Sequence, residues 1–188
     1  MSHRLTEAVR NAQIDRITYA AMRGQSYRIT PDEVVGSDGY PLDDGEEFTV
    51  QIVPTEAGGT VHLQTPTINP EEQSVVDVFE NAEPDGTEGD TADDLLIHNM
   101  RYDSGMGQEV PEATIRRITD GSLNLTPADQ TEHRLIRNGQ SYEDAPRQIW
   151  RTVPVGDNIS IRVTDASGGN ANELDFAIVV LEGGLLPQ

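Results

Sequence analysis

The last strand-like segment of the chain limits the possible folds more than any other feature. Residues 174–182 read LDFAIVVLE and are apolar at nearly every position. A strand that is apolar on both faces belongs at the centre of a sheet, where each face is covered. Because this segment comes last in the chain, the sheet closes only when the final residues enter it. Such non-local closure is typical of Greek-key and jelly-roll topologies.

Short segments with alternating or β-branched residues recur after Gly24, separated by turn-forming residues such as those at 43–45, 57–59 and 167–169. Few connections leave room for a crossover helix, which disfavours a parallel α/β sheet. The sequence therefore predicts an all-β fold, a jelly-roll-like antiparallel β-sandwich. The predicted strands cover residues 26–30, 48–54, 60–64, 74–80, 95–102, 113–119, 122–125, 148–153, 159–164 and 174–182.

We make separate predictions for two segments that connect strands. Residues 127–137 (PADQTEHRLIR) are predicted as a short helix within a loop. Residues 71–94 are the most biased stretch in composition, and their centre (NAEPDGTEGDTADD) is predicted as a long surface loop between two strands.

The first 24 residues differ from the rest in period and charge. Apolar residues at helical spacing predict an amphipathic helix over about residues 4–22, ended by Gly24. Residues 1–30 carry five arginines and two acids, a net charge of +3, whereas residues 31–188 carry eight arginines and 31 acids, a net charge of −23. We therefore predict a basic helical arm over residues 1–24 and a single β-sandwich domain over residues 25–188.

The arm allows two interpretations. Its helix packs on the domain, or it projects to meet a partner subunit, a membrane or the interior of an assembly. Under the second interpretation, the residues assigned to the contact are Arg4, Leu5, Val9, Arg10, Arg16, Ile17 and Arg23.

The choice of basic residue indicates the salinity in which the protein works. All 13 basic residues are arginine and none is lysine, against 33 acids and a net charge of −20. In molar salt the Debye length falls to about 3 Å, so repulsion among carboxylates is largely screened. Hydrated carboxylates then maintain solubility, while lysine stems add apolar surface that concentrated salt drives together. The composition indicates an extreme halophile as the source.

Catalytic and cofactor motifs are absent from the sequence. With no cysteine, thiol nucleophiles, thiolate zinc sites and disulfides are excluded. GxGxxG, P-loop, HExxH and GxSxG motifs do not occur, and the four histidines are scattered. We therefore predict no enzymatic activity and no cofactor, and the acidic charge argues against direct binding of nucleic acid.

A cation site in the acidic loop is the alternative that remains open. Its candidate ligands are Asp85, Asp90, Asp93 and Asp94, although their spacing does not match an EF-hand. The competing interpretation is a solvated acidic loop without a bound ion.

About ten strands in 188 residues, the absence of Lys and Cys, the lack of an export signal and the arginine-bearing arm together resemble a known family. It is the smaller single jelly-roll major capsid protein of icosahedral, internal-membrane viruses of haloarchaea. The resemblance implies a coat protein that is made in the cytoplasm of an extreme halophile and resides in the virion. Its partners would be copies of itself and a second capsid protein, with the arm nearest the internal membrane.

Two other classes stay open at this stage. One is a different virion component, such as a decoration, spike-base or tail protein. The other is a cellular halophilic β-sandwich that serves as a binding or enzyme domain, because a fold does not fix a function.

Overall fold

The computed structural model describes residues 25–31, 39–84, 90–91, 95–100, 110–118, 123–124, 129–138, 140–142, 149–169 and 172–183. All regular elements in these ranges are β-strands, which confirms the predicted all-β class. The strands are β1 Ser26–Pro31, β2 Tyr40–Leu42, β3 Glu47–Val53, β4 Val61–Gln64, β5 Thr67–Pro70, β6 Ser74–Glu80, β7 Glu83–Pro84, β8 Asp90–Thr91, β9 Leu95–Asn99, β10 Thr114–Ile118, β11 Leu123–Asn124, β12 Gln130–Ile136, β13 Ile149–Val153, β14 Ile159–Asp165 and β15 Asn172–Glu182.

Two antiparallel sheets pack face to face around one apolar core. The seven-stranded sheet has the order β13-β4-β15-β1-β9, and β2 and β5 also pair with β15. The six-stranded sheet has the order β12-β6-β14-β3-β10-β8. Side chains that alternate along the strands fill the space between the sheets, as expected for a sandwich. Core residues that are fully buried include Ile29, Phe48, Val50, Ile161 and Val180.

Strand β15 occupies the centre of the seven-stranded sheet, as the sequence predicts. Its register pairs it with β1 and β2 along one side and with β4 and β5 along the other. Asp175 is the one exposed residue in its burial pattern. On the inner face of β15 Phe176, Ile178 and Val180 are buried, and on the outer face Ala177 and Leu181 are buried as well, which agrees with the apolar sequence of this strand.

The strand pairing is that of a jelly roll. Four antiparallel pairings nest inside one another: β1 with β15, β3 with β14, β4 with β13, and β6 with β12. The first half of the chain therefore runs against the second half as one long hairpin, which is rolled into two sheets. This topology confirms the predicted jelly-roll-like sandwich.

The segment between β6 and β12 adds strands to one side of the roll. Strand β9 pairs with β1 and extends the seven-stranded sheet. Strand β10 pairs with β3 and extends the six-stranded sheet, where β8 joins it. Strands β7 and β11 form a separate two-stranded sheet. The predicted acidic loop thus contains the short strands β7 and β8, which the sequence analysis did not identify.

The helix predicted over residues 127–137 is wrong, because residues 130–136 form β12 on the edge of the six-stranded sheet. The apolar residues at 135 and 136 are compatible with either structure. Pairing with the buried strand β6 decides in favour of the strand, since it satisfies the backbone along one side of β6. Leu135 then points to solvent and Ile136 into the core.

Both ends of the described chain meet at one end of the sandwich. The Glu182 amide donates a hydrogen bond to the Gln25 carbonyl at 2.9 Å. The predicted arm, residues 1–24, lies outside the described residues and joins the domain at this end. Within the described ranges, no helix has the length and apolar character needed to cross a lipid bilayer.

Candidate functional site: buried polar clusters and exposed edges

Most residues assigned to function from the sequence lie outside the described ranges. This holds for all the arm residues, Arg4, Leu5, Val9, Arg10, Arg16, Ile17 and Arg23, and for Asp85, Asp93 and Asp94 of the acidic loop. The backbone of Asp90 starts strand β8, opposite Ile118 of β10. Among the described side chains, no group of three or more His, Asp and Glu residues is arranged to hold a metal ion. The arm contact and the cation site stay predictions.

The outer face of the six-stranded sheet holds a buried polar network centred on Gln51. The Gln51 side chain is completely buried, although it points away from the apolar core. Its amide nitrogen donates to the Ala82 carbonyl at 2.9 Å and to Ser160 Oγ at 3.2 Å. Its oxygen accepts two hydrogen bonds from the Arg116 guanidinium, at 2.8 and 2.6 Å. Gln51 thereby ties β3 to β10, to β14 and to the start of the segment that follows β6.

A second cluster on this face surrounds Asp77 of β6. One carboxylate oxygen accepts from Gln130 Nε2 at 2.8 Å and lies 2.5 Å from His133 Nδ1, while the other accepts from Arg162 at 2.8 Å. The Arg162 guanidinium also lies over the Phe79 ring, 5.0 Å from its centroid. An Asp–His pair is a component of many catalytic sites. Here the two Asp77 oxygens contact side chains of β12 and β14, so the cluster links three neighbouring strands of the sheet.

The third cluster lies at the end of the sandwich opposite the termini and centres on Asp165. Asn172 Nδ2 donates to Asp165 Oδ1 at 2.7 Å and to Ser74 Oγ at 2.9 Å. Ser167 donates to the other Asp165 oxygen through its hydroxyl at 2.8 Å. Burial raises the pKa of Asp165, but hydrogen bonds from Asn172, Ser167 and the Gly45 backbone outweigh it and hold the pKa below its usual value. The cluster fastens the start of β15 to the end of β14.

Glu182 is a buried carboxylate at the other end, near the termini. It accepts hydrogen bonds from the backbone amides of Ala113 at 2.6 Å and Glu112 at 3.1 Å. Burial raises the pKa of Glu182, and the two amide hydrogen bonds only partly offset that effect. Because β15 and β10 belong to different sheets, this side chain connects the two layers directly.

Aromatic and arginine side chains fill the side of the sandwich between β12 and β13. The buried Tyr142 hydroxyl donates to Glu132 at 2.5 Å, and its ring meets Trp150 edge-on at 6.4 Å. Burial and the Glu132 carboxylate raise the pKa of Tyr142 well above its usual value. Arg134 lies over the Tyr142 ring and Arg151 over the Trp150 ring, at 5.1 and 4.9 Å. These arginine–ring contacts close the side of the sandwich between β12 and β13, and a planar guanidinium stacks on a ring better than the ammonium group of lysine does.

Two cavities open on this part of the molecule. The larger, about 260 Å³, lies beside β12 and is lined by Arg134, Leu135, Ile136, Gln140 and Ser141. The smaller, about 60 Å³, lies between the ends of β6, β13 and β14 and includes Glu80, Arg151 and Asn158. The described residues that line the larger cavity include neither a carboxylate nor an imidazole, so this part of the lining offers no acid–base pair.

Large apolar side chains are exposed mainly along the margins of the sheets. Leu96 of β9 is 38% exposed and Met100, just after it, 42%. Leu135 of β12 is 44% exposed and Ile149 of β13 is 39% exposed. These positions could not be identified from the sequence, because strand alternation alone does not reveal which strands lie at the edges. They mark the margins as the surfaces best suited to contact other chains.

Comparison of the chain with protein-family models, with curated proteins and with solved structures found no match. The candidate functional surfaces therefore rest on the geometry alone. That geometry combines a jelly roll, polar groups that are engaged internally and apolar side chains along the margins.

Proposed function

We propose that this chain is a structural protein of a virus particle. In this proposal it is a major capsid protein that assembles an icosahedral shell around an internal membrane in concentrated salt. Its partners are further copies of itself and a second capsid protein, and it resides in the virion after synthesis in the cytoplasm of an extreme halophile. Jelly rolls form the coats of many viruses, and also serve in lectins and cupins.

The observation that carries the proposal is where the polar and the apolar side chains lie in the sandwich. Gln51, Asp77 and Asp165 are buried and fully engaged with neighbouring strands. Leu96, Leu135 and Ile149 are exposed on edge strands instead. Buried polar groups that hold the fold rigid and apolar groups on its margins suit a building block more than a catalyst.

The charge of the chain supports assembly only under saline conditions. Each subunit carries a net charge of −20, so neighbouring subunits repel one another in dilute buffer. At molar ionic strength the Debye length is about 3 Å, and most of this repulsion disappears. Apolar contacts along the margins are then strengthened by salts that are excluded from protein surfaces.

The experiment that tests the proposal is assembly of the purified full chain in molar salt, followed by light scattering and electron microscopy. We expect regular particles or lattices that dissociate as the salt is removed. A chain that stays monomeric at every concentration and salinity would contradict the proposal. Quantitative mass spectrometry of purified particles separates the two virion classes, because a main coat protein dominates the particle and a decoration or spike-base protein does not.

The arm gives a second test of the same proposal. It is basic on an acidic chain and joins the domain beside the end of β15. We expect deletion of residues 1–24 to leave the β-sheet circular dichroism unchanged and to impair assembly in molar salt. Normal particles from the shortened chain would show that the arm has no part in assembly.

A further inference from the structure

We propose that β9 pairs with β9 of a second copy of this chain, antiparallel across a twofold axis. The two seven-stranded sheets then join into one continuous sheet. This pairing requires no other component, whereas its place in a shell rests on the function proposed above.

Among the described residues, six strands have an unpaired side at the margins of the two sheets, namely β2, β5, β8, β9, β12 and β13, and they differ in how they are protected against such pairing. Strand β2 is three residues long and contains Pro41, while β5 ends at Pro70 and its Ile68 carbonyl accepts a hydrogen bond from the Tyr142 amide. An unpaired strand edge is a template for another strand, and proteins block it with bulges, charges or very short strands. Strand β12 has a register irregularity after Gln130, and β13 has one after Ile149. Both also carry arginine, at positions 134 and 151, and β8 is only two residues long.

Strand β9 has none of these devices. Its five residues read LLIHN, without proline, arginine or carboxylate. Its register against β1 is regular at every position from Leu95 to Asn99. Within the described ranges, β1 is the one strand that pairs with it. Of these six strands, β9 is the one whose described residues carry no feature that opposes pairing.

The direction of the backbone groups on β9 follows from one hydrogen bond. The Met100 amide donates to the Ser26 carbonyl at 2.8 Å, so this opposed pair is hydrogen-bonded. Hydrogen-bonded and non-hydrogen-bonded pairs alternate along an antiparallel ladder. His98 and Leu96 therefore turn their backbone groups towards β1. Leu95 and Ile97 turn theirs to the opposite side, where a further strand would accept them.

A twofold pairing centred on Ile97 uses these groups. Ile97 then exchanges two hydrogen bonds with Ile97 of the other copy, and Leu95 lies opposite Asn99. On the outer face Leu96 lies opposite His98, which covers part of its 38% exposed surface. Ile97 packs against the core on the inner face, so the joined sheets place apolar residues next to each other there.

Electrostatics favours a second copy as the occupant. The chain has 33 acids, yet none lies in β9, so two copies meet here without bringing carboxylates of the paired strands together. The nearest described charge on the outer face is Arg28 of β1, opposite His98. With strands about 4.8 Å apart and a two-residue offset along the strands in this register, the Cα atoms of the two Arg28 residues of a dimer are about 16 Å from each other. That distance exceeds the screening length of about 3 Å in molar salt.

Engineered cysteines test the pairing directly, because the chain has no cysteine of its own. In the proposed register residues 96 and 98 of the two copies form a non-hydrogen-bonded pair, with Cα atoms about 4.5 Å apart. This separation lies within the range of disulfides. We expect an equimolar mixture of Leu96→Cys and His98→Cys to give a cross-linked dimer under mild oxidation in molar salt. Leu96→Cys mixed with Leu135→Cys is the matched control, because Leu135 is similarly exposed on the opposite margin.

Cross-linking of the 96/98 mixture well above the control supports the pairing. Equal or absent cross-linking overturns it. Efficient cross-linking of Leu96→Cys with itself overturns the register centred on Ile97.

A second measurement uses the solution mass of the uncross-linked chain, 20.6 kDa for a monomer. We expect a concentration-dependent shift to twice this mass by light scattering in molar salt. Ile97→Pro should abolish the shift while Ile97→Val retains it, because proline removes an outward amide without breaking the ladder to β1. Circular dichroism verifies that both variants fold, and a proline variant that still dimerises overturns the inference.

The two proposals fail in different ways. Regular particles without the 96/98 cross-link would leave the coat function standing and remove the β9 contact. A β9 dimer that never grows beyond two copies in molar salt would retain the contact and contradict the coat function.

Discussion

At the scale of the residue, stability depends on polar side chains that are buried with their partners. Gln51 is fully buried on the outer face of its sheet, and its amide group bridges Ala82, Ser160 and Arg116. An unsatisfied buried polar group costs about 1–3 kcal/mol. Such clusters make each residue depend on the others, so removing one partner destabilises more than the lost bond alone.

Asp165 provides the residue-scale prediction. Asn172 donates to one Asp165 oxygen, and the backbone amide and hydroxyl of Ser167 donate to the other, so an amide nitrogen in Asp165→Asn would face another donor. We expect a loss of about 1–3 kcal/mol in the free energy of unfolding at pH 7, measured by denaturant titration. Asp175→Asn is the control, because Asp175 is exposed and accepts a side-chain hydrogen bond from Asn69 at the surface.

The pH dependence of this effect has a defined sign. Because the folded-state pKa of Asp165 is lowered, its contribution is present above the ordinary aspartate pKa of about 3.9. It is lost as the pH falls through the lowered folded-state value. The difference between wild type and Asp165→Asn should therefore shrink in acid, and a difference that stays constant from neutral pH to about pH 3 would contradict the assignment.

At the scale of the element, β15 holds together more of the molecule than any other described strand. It pairs with β1, β2, β4 and β5, and its inner face supplies Phe176, which meets Phe48 of the other sheet at 5.2 Å. Strand β15 thus contributes both to the centre of its sheet and to the core between the sheets.

Phe176→Ala tests this role. Removing a buried phenylalanine side chain costs about 3–5 kcal/mol through lost transfer energy and the cavity left behind. The matched control is Val179→Ala on the same strand, whose side chain is only partly buried. We expect the control to lose about 1 kcal/mol or less, and equal losses for the two variants would show that the inner face of β15 does not carry the core.

At the scale of the whole molecule, charge and topology act against each other. The nested jelly roll gathers a chain of net charge −20 into one compact body, which concentrates its carboxylates. Self-repulsion of this kind destabilises the compact state at low ionic strength. The described arginines relieve part of it by stacking on rings, such as Arg117 on Tyr40 at 4.6 Å, and by ion pairs such as that of Arg162 with Asp77.

The corresponding prediction is a steep dependence of stability on salt. We expect the thermal unfolding midpoint to rise continuously from dilute buffer to molar KCl, measured by circular dichroism. Sodium sulfate at equal ionic strength separates screening from the strengthening of apolar burial, because sulfate promotes burial more strongly. A midpoint that does not change with salt would refute halophilic adaptation of this fold.

The positions of many strands were predictable from the sequence, but much of the pairing between strands was not. The segment 74–80 was predicted with the bounds that β6 has, because its alternation and flanking turns are strong. The short strands β2 and β5 carry too few residues for a periodic pattern and exist because they flank β15. Strand β12 was predicted as a helix, since its local sequence fits both structures and the exposed side of β6 decides between them.

The candidate functional surfaces were likewise not predictable from local sequence. The cross-strand clusters at Gln51 and Asp77 join residues that lie 31 to 109 positions apart, so no local pattern reveals them. The unprotected margin at β9 also follows only from the strand order, since being at an edge is a property of the sheet and not of the segment.

By itself the sequence determined the all-β class and the central place of residues 174–182, and it predicts a dependence on salt. These follow from hydrophobic period, position along the chain and charge, which are local or additive quantities. Only the tertiary structure decided which strands are neighbours, which polar side chains are satisfied in the interior and which strand edge stays open. Those properties arise from the register between distant segments, because a single residue shift in pairing exchanges the buried and exposed faces of a strand.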